Sequence, residues 1–536
     1  MTLAAELRLH GVSVVVLERD AAPPAQVRAL GLHARSIEIL DQRGLLERFL
    51  AEGIKYPLSG FFAGIAKPAP EALDSEHAYV LGIPQPVTDR LLGERAAELG
   101  ADIQRGSAVV AVDQATDRVT ATLATGRMLH GRYLVGCDGG RSGVRAWCGI
   151  DFPGEPATRE FLLGEMEATE DPTVMAEIVT TIRVREKNFA VAPLPDGGVR
   201  VVVPAAGLSP RRTEPTLDQV RERLRAVAGT DFGVHSPRWL SKFGDATRLA
   251  ERYRCDRIFL AGDSAHVHPP LGGQGLNLGI QDAVNLGWKL AGAINGWAPD
   301  GLLDTYEDER HPVARNVLRL TRAQAELMRT EPGPSAVREV LTDLMDFDVV
   351  NRHLVEQLTA LGIAYRDRRS NFSEDRVDLV GRRLPDMPLS DGRRLYSLLH
   401  DGRGLLIDPD GTLPIAGWGD RVDRVAVKPA EVAQATAARA LAGQAVLLRP
   451  DGYVAWVAEG GSLTCDEERG SRTCDMNTAH AESGSLNDAV AHSDRQLPGP
   501  QGRVDPSGAR GLFNALLRWF GEPQQRPVAA TAEREE

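Results

Sequence analysis

The chain predicts an α/β fold: a doubly wound, Rossmann-like sheet, an antiparallel sheet inserted into it, and a second α/β unit behind. Three observations carry this. Two buried apolar strands, Val12 to Glu18 and Arg257 to Asp263, each end on a carboxylate. A glycine-rich junction, Gly272-Gly273-Gln274-Gly275, leads from the second strand into an amphipathic helix. Between the two, Ala190 to Pro193 and Val199 to Val203 alternate apolar and polar residues, as strands with one solvated face do.

At 536 residues the chain exceeds one core, so two or three domains are expected. Its 43% hydrophobic and 25% charged residues are those of a globular protein. A net charge of −12 argues against a nucleic-acid partner and against a basic membrane patch. No apolar run reaches transmembrane length and no signal-peptide pattern opens the chain. The 5 cysteines lack metal-ligand spacing and fit reduced thiols in a cytoplasmic protein, with no metal site.

The elements follow in order. Leu3 to His10 reads as a helix closed by Gly11, and Val12 to Glu18 as a strand ending in an acid. This is the second half of a βαβ unit, where such an acid grips an adenosine ribose; Arg19 adjoins it. No G-x-G-x-x-G turn occurs in the chain. The expectation is that the first strand and its phosphate turn are absent, and that the natural frame starts about a dozen residues upstream. From Ser36 the spacing of Ile37 and Leu40 predicts a helix ending at Gly44, behind a loop flanked by Arg28 and Arg35. A strand at Leu81, a proline-bounded turn and a helix to Leu99 place Gln85 at a strand-to-helix junction. Ala108 to Val112 is a strand, and Tyr133 to Cys137 another, turning at Asp138-Gly139-Gly140 into a helix with Arg141 and Arg145. Residues 150–243 read as antiparallel strands, with Arg183 and Arg200 among them; Leu302 to about Ala364 is helical, and His311 is structural. Strands near LLIDPDG and VLLRPDGYVAW mark the second α/β unit, a polar stretch follows, and LFNALLRWF (512–520) is an amphipathic helix able to dock back.

The run GDSAHVHPPLGGQGLNLG (262–279), following the ribose acid and the DGG turn, resembles the second flavin motif of single-component FAD-dependent aromatic hydroxylases. The similarity extends from the first residue to about Glu459, through ELRLHGVSVVVLE, GLHARSIEI, QRGLLERFL and LLRPDGYVAWV. The resemblance implies FAD reduced by NADPH or NADH, a flavin C4a-hydroperoxide, and one oxygen of O2 passed to an electron-rich ring. The implied substrate is a small aromatic compound: a naphthoquinone or hydroquinone, rifamycin-like or an aromatic polyketide, in antibiotic inactivation or tailoring. Implied cofactor contacts are Glu18, Arg19, Arg28, Gln85, Val112, Asp138, Gly139, Asp263, Gly275, Leu276 and Asn277. Implied substrate contacts are Arg183, Arg200, Pro269 and Gly272. Asp263 would accept from a ribityl hydroxyl, and the amides opening the following helix would hold charge on the reduced ring. No catalytic side chain stands out, as expected when the cofactor carries the chemistry. One departure is Leu30, where the rifamycin-hydroxylating branch has a basic residue.

The expected domains are a discontinuous FAD-binding domain (1–57, 82–158, 244–330) and a substrate domain (58–81, 159–243). A helical linker (331–375), a thioredoxin-like C-terminal domain without C-x-x-C (376–459), a disordered segment (460–508) and a short helix with tail (509–536) follow. The assembly is expected to be a monomer or homodimer. Two alternatives remain: a non-catalytic protein that sequesters an aromatic antibiotic, and another flavin reaction, halogenation or epoxidation, on the same fold.

Overall fold

A computed structural model describes residues 1–71, 73–194, 197–209, 213–365, 379–430, 441, 443–458 and 506–524. Most of the stretch expected to be disordered, and Cys465 and Cys474, lie outside the described residues.

The first layer is built as the apolar strands predict. Helix α1 (Thr2–Leu9) leads to β1 (Val15–Leu17). After α2 (Ala34–Gln42) and α3 (Gln85–Glu98), β2 (Asp102–Gln104) pairs with β1 in parallel, Val16 opposite Ile103. Strand β3 (Val109–Gln114) opens an antiparallel meander, and β4 (Leu134–Gly136) runs into α4 (Gly143–Trp147).

The inserted sheet has β5 (Glu160–Glu167) at its centre. Helix α5 (Pro172–Arg183), β6 (Ala190–Pro193), β7 (Val199–Pro204), α6 (Leu217–Ala228) and β8 (His235–Gly244) complete it, in antiparallel order β6-β7-β5-β8. Val201, Val203, Leu224 and Phe232 fill the space between sheet and helices. Arg183, expected among strands, ends a helix instead. Asp171 accepts the Thr173 amide at 2.8 Å and Pro172 takes the first helical position, so this cap overrides the β-branched run behind it.

Strand β9 (Ile258–Leu260) then returns to the first layer, parallel to β4 with Phe259 opposite Val135. A turn and a glycine-rich loop lead into α7 (Gln274–Asn295), which runs through the core. A Cβ on Gly287 would lie 2.5 Å from that of Glu6, so glycine is what allows α1 to cross α7 this closely. Helices α8 (Asp304–Leu327), α9 (Pro332–Leu344) and α10 (Asp348–Thr359) form an arm. Residues 58–81, expected with the inserted sheet, carry a hairpin whose Phe62 and Ile65 pack in one apolar cluster with Leu320, Met345 and Leu358 of that arm.

In the C-terminal unit β10 (Gly404–Ile407), β11 (Val422–Val425), β12 (Val446–Leu448) and β13 (Val454–Val457) form one sheet in the order β11-β10-β12-β13. Only the β10–β11 pairing is parallel. Helix α11 (Pro506–Phe520) docks on it as the amphipathic pattern predicts, burying Leu512, Leu516 and Phe520. Buried ion pairs join this unit to the first layer, through Arg383 and Glu38 at 2.8 Å, and to α8, through Arg449 and Glu309 at 2.6 Å.

Candidate functional site

Two loops at the carboxyl ends of the parallel strands β4 and β9 define the site, the place where open α/β sheets bind ligands. The loop after β9 carries Asp263, which is exposed and makes no hydrogen bond or ion pair with any described residue. Gly262 has φ +65°, and its neighbour across the gap is Gly279 of α7, whose Cβ would stand 3.5 Å from the Gly262 Cα. Gly272 and Gly273 are both left-handed (φ +70° and +64°), and α7 starts at Gln274 with no side-chain cap. Its first amides, those of Gly275 and Leu276 included, therefore lack the partner a Ser or Asp cap would supply.

The loop after β4 behaves differently. The Asp138 carboxylate accepts from the Ser142 hydroxyl and, at 3.1 Å, from the Val144 amide, supporting the start of α4, which Ser142 caps by accepting from the Arg145 amide at 2.9 Å. Gly139 (φ +82°) has open space where a Cβ would be, so a ligand can approach its backbone. Arg145 ties the two loops together, donating to the carbonyls of Gly140 (2.9 Å) and Ser264 (2.8 Å) while stacking 3.7 Å over Phe152.

Behind the loops lies a fully buried trio that sequence reasoning missed. Asp282 of α7 accepts from the Gly262 amide (3.1 Å), from His266 (2.7 Å) and from Arg310 of α8 (2.7 Å). Burial pushes the Asp282 carboxyl up, but Arg310 and then His266 outweigh it and hold its pKa below the usual carboxylate range. The three residues lie 16 to 44 positions apart, too far for periodicity to reveal; the one signal is an acid on the apolar face of GIQDAVNLGWKL.

The remaining expected residues fall as follows. Glu18 ends β1 and spends one carboxylate oxygen on the Asp20 amide (2.9 Å), while Arg19 is exposed beside it. Arg28 reaches Ser241 of β8 at 3.5 Å, bridging the first layer to the inserted sheet. Gln85 opens α3, its amide held by the Ala29 carbonyl (3.0 Å), and Val112 sits half-buried in β3. The Asn277 side chain accepts from the His33 amide (2.8 Å) and donates to the Gly273 carbonyl (3.0 Å), so it braces the 31–33 loop against α7. The Pro269 carbonyl accepts from His268 and from the Leu271 amide, and a Cβ on Gly272 would meet Leu358 at 3.1 Å. Arg183 is exposed at the end of α5. Arg200 is buried and paired with Glu165, whose other oxygen takes the Trp239 indole N–H at 3.0 Å. His311, read as structural, bonds the Ala250 carbonyl at 2.9 Å.

A cavity of about 1180 Å³ borders the start of α7, lined by Gln274, Asn277, Gln281, Pro312, Tyr365 and Arg449 among others. It touches the site at Gln274 and Asn277 and extends from there to the C-terminal unit.

The donor set fits a flavin dinucleotide. An unpartnered carboxylate suits a polyol chain, an uncapped helix start suits a ring that gains negative charge, and side-chain-free backbone at Gly139 suits close approach. Comparison with known proteins agrees. Residues 1–321 match the family model "FAD binding domain", and residues 377–474 match "Aromatic-ring hydroxylase, C-terminal". A rifampicin monooxygenase of Rhodococcus hoagii is 57% identical over 461 residues, 86% of this chain and 93% of that protein. A 12-dehydrotetracycline 5-monooxygenase/anhydrotetracycline 6-monooxygenase of Streptomyces rimosus subsp. rimosus is 42% identical over 85% of this chain and 93% of its own length. The solved structure of the anhydrotetracycline hydroxylase OxyS from Streptomyces rimosus superposes with a TM-score of 0.80 at 39% identity, covering 98% of this chain and 97% of that one. With the fold, the two loops and these relatives in agreement, the chain belongs to the FAD-dependent aromatic-ring hydroxylases, monooxygenases whose cofactor is FAD.

Proposed function

We propose that this monooxygenase hydroxylates a fused aromatic ring of a rifamycin-like or other polyketide antibiotic, inactivating or tailoring it. The observation that carries the reading is the free Asp263 carboxylate after β9, together with the uncapped start of α7 that the same loop leads into. When bound, FAD would supply the redox chemistry, hydride acceptance from NADPH or NADH and activation of O2 for transfer of one oxygen atom to the ring. Asp263 holds the ribityl hydroxyls, and the amides of Gly275, Leu276 and Asn277 stabilise charge on the pyrimidine end of the ring. Glu18 and Arg19 border the adenosine ribose, with the backbone of Val112 beside the adenine. Gln85 and Arg28 close the loop side of the ring, Asp138 shapes the Gly139 turn against it, and the Pro269–Gly272 wall keeps water from the reacting face. Arg183 meets the substrate from the end of α5 in the inserted domain, while Arg200 orients β7 through Glu165.

The same reading divides the chain into the FAD-binding, substrate, linker and C-terminal domains at the boundaries expected above, the hairpin at 60–67 going with the arm. The parallel β10–β11 pair flanked by the β12–β13 hairpin, with α11 behind, supports a thioredoxin-like C-terminal domain. No helix of the described residues is long and apolar enough to cross a membrane. The reading keeps the protein in the cytoplasm, as a monomer or homodimer.

The test is NADPH and NADH consumption by FAD-loaded protein with rifampicin, anhydrotetracycline and a simple phenol, with product mass. Stimulated consumption and a product heavier by one oxygen atom are expected. Tight binding without consumption would establish a sequestering protein instead.

A further inference from the structure

Two thiols from separate parts of the first layer are in contact. Cys148 directly follows α4, and Cys255 lies in the short strand Arg254–Cys255, which pairs antiparallel with β9, Cys255 opposite Ile258. Both pack against the apolar cluster of that layer, and the Cys148 thiol hydrogen-bonds the Cys255 sulfur. The same sulfur accepts from the side-chain amide of Gln114 on β3 at 3.4 Å. Neither cysteine is in a disulfide, and both are part-exposed, within reach of a small oxidant. Burial, and then Cys255, push the Cys148 thiol up to about 11, so Cys148 keeps its proton at neutral pH. Cys255, the acceptor of both hydrogen bonds, is the sulfur left to act as nucleophile.

Two thiols in contact need only an acceptor for two electrons to become a disulfide. We infer that Cys148 and Cys255 are a redox pair that closes to an intramolecular disulfide when the protein meets hydrogen peroxide. The Cys255 sulfur attacks one peroxide oxygen, the O–O bond breaks, water leaves, and Cys255 becomes a sulfenic acid. The Cys148 sulfur then attacks that sulfur. The S–S bond forms, the S–O bond breaks, and the hydroxyl leaves as water with the Cys148 proton. In sum, two thiols and one peroxide give one disulfide and two waters. The oxidant belongs to the chemistry of such a protein: a reduced flavin whose electrons reach O2 with no ring to take the oxygen yields hydrogen peroxide. The bridge would tie the end of α4, whose Arg145 joins the two loops, to the strand pair that leads through β9 to Asp263. The pairing does not depend on which aromatic compound is oxidised.

The test is a thiol map of the full-length protein before and after hydrogen peroxide. The peroxide is removed with catalase, the protein is unfolded and alkylated with iodoacetamide, and its peptides are weighed without reduction. In the wild type, Cys148 and Cys255 should each take an alkyl label before treatment and lose it afterwards. A single cross-linked peptide joining the two should appear, lighter by two hydrogens than the sum of its parts and split by dithiothreitol. Cys148→Ser should leave a sulfenic acid on Cys255, trapped by dimedone, and Cys255→Ser should leave Cys148 open to alkylation. Full alkylation of both cysteines after peroxide, or a cross-link between other cysteines in their place, overturns the pairing. A sulfenic acid on Cys148 in Cys255→Ser overturns the order of attack. The wild-type map decides the pairing even where a variant does not fold, and because the peroxide is added, it does so without flavin turnover.

Discussion

Arg145 donates to the carbonyl of Ser264 at 2.8 Å, and with its other terminal nitrogen to that of Gly140. One buried guanidinium thus sets the separation of the two loops of the candidate site. Replacing it with Leu leaves two carbonyls without a donor at about 1.5–3 kcal/mol. Arg145→Leu is expected to lower the urea midpoint and to weaken FAD binding, with Arg145→Lys intermediate because an ammonium cannot span both carbonyls in a planar fork. Unchanged FAD affinity in the Leu variant would show that the loops hold their spacing without it.

Asp282 acts one layer deeper. Its carboxylate neutralises Arg310 and fixes the Gly262 amide, all out of contact with water. Asp282→Asn leaves Arg310 buried without a counter-charge and should destabilise the protein by about 3–5 kcal/mol, measured by denaturation of the FAD-loaded form. A loss below about 1 kcal/mol would mean that water enters the site and solvates Arg310.

What was legible and what was not divides along this line. Strands that end on Glu18 and Asp263, and the glycine pair before α7, announce themselves because each is a local event: apolar run, turn residue, cap. The helix of residues 512–520 was readable for the same reason. Asp282, His266 and Arg310 were not, since nothing local distinguishes a buried charge whose partners arrive only with the fold. Asp138 stands in the turn after β4 and Asn277 in the first turn of α7, where the sequence put them, yet their side chains bond protein backbone, the Val144 amide for one and the His33 amide with the Gly273 carbonyl for the other, a choice that only the folded geometry decides. Arg183 shows a misjudged local contest, in which the β-branched residues of Val174 to Ile182 lost to an Asp-Pro helix start.

Asp263 makes the most direct test of the site. Because it is exposed and unpartnered, Asp263→Ala should leave the fold intact. Losing a charge-assisted bond to the ribityl chain removes about 1.5–3 kcal/mol, some ten- to hundredfold in FAD affinity. Protein that copurifies with full FAD and an unaltered spectrum would count against this placement.

The junction with the C-terminal unit carries a pH dependence. Burial raises the Glu309 pKa, but Arg449 and Lys289 outweigh it and bring the carboxyl from 4.5 down to about 2. A carboxyl depressed on folding stabilises the native state above its unfolded pKa and loses that contribution as pH falls. Between about 4.5 and about 2 the protein should therefore weaken progressively. Lys289, brought down to about 8 chiefly by its own burial, stays protonated throughout that window and adds no slope. Urea midpoints across the acid range, followed by Trp288 and Trp519 fluorescence at this junction, should slope in the wild type and flatten in Glu309→Gln. A parallel slope in the variant would place the acid sensitivity elsewhere.

The two arginines of the inserted domain are separable by stability. Glu165 sits directly across from Arg200 on one neighbouring strand and from Trp239 on the other, and accepts from both. Arg200→Met leaves that carboxylate buried with only an indole donor and should cost about 3–5 kcal/mol. Pairing it with Glu165→Leu removes the stranded charge and should recover most of the loss, since an apolar pair of similar volume often replaces a buried ion pair at little cost. Arg183 bears no such burden, being exposed at the end of α5, so Arg183→Ala should change stability by less than about 0.5 kcal/mol. If Arg183 meets the substrate, that variant alone should bind rifampicin more weakly, by about 1–3 kcal/mol, at unchanged FAD content and unchanged stability. Rifampicin binding that survives Arg183→Ala would put the substrate on another face of the domain.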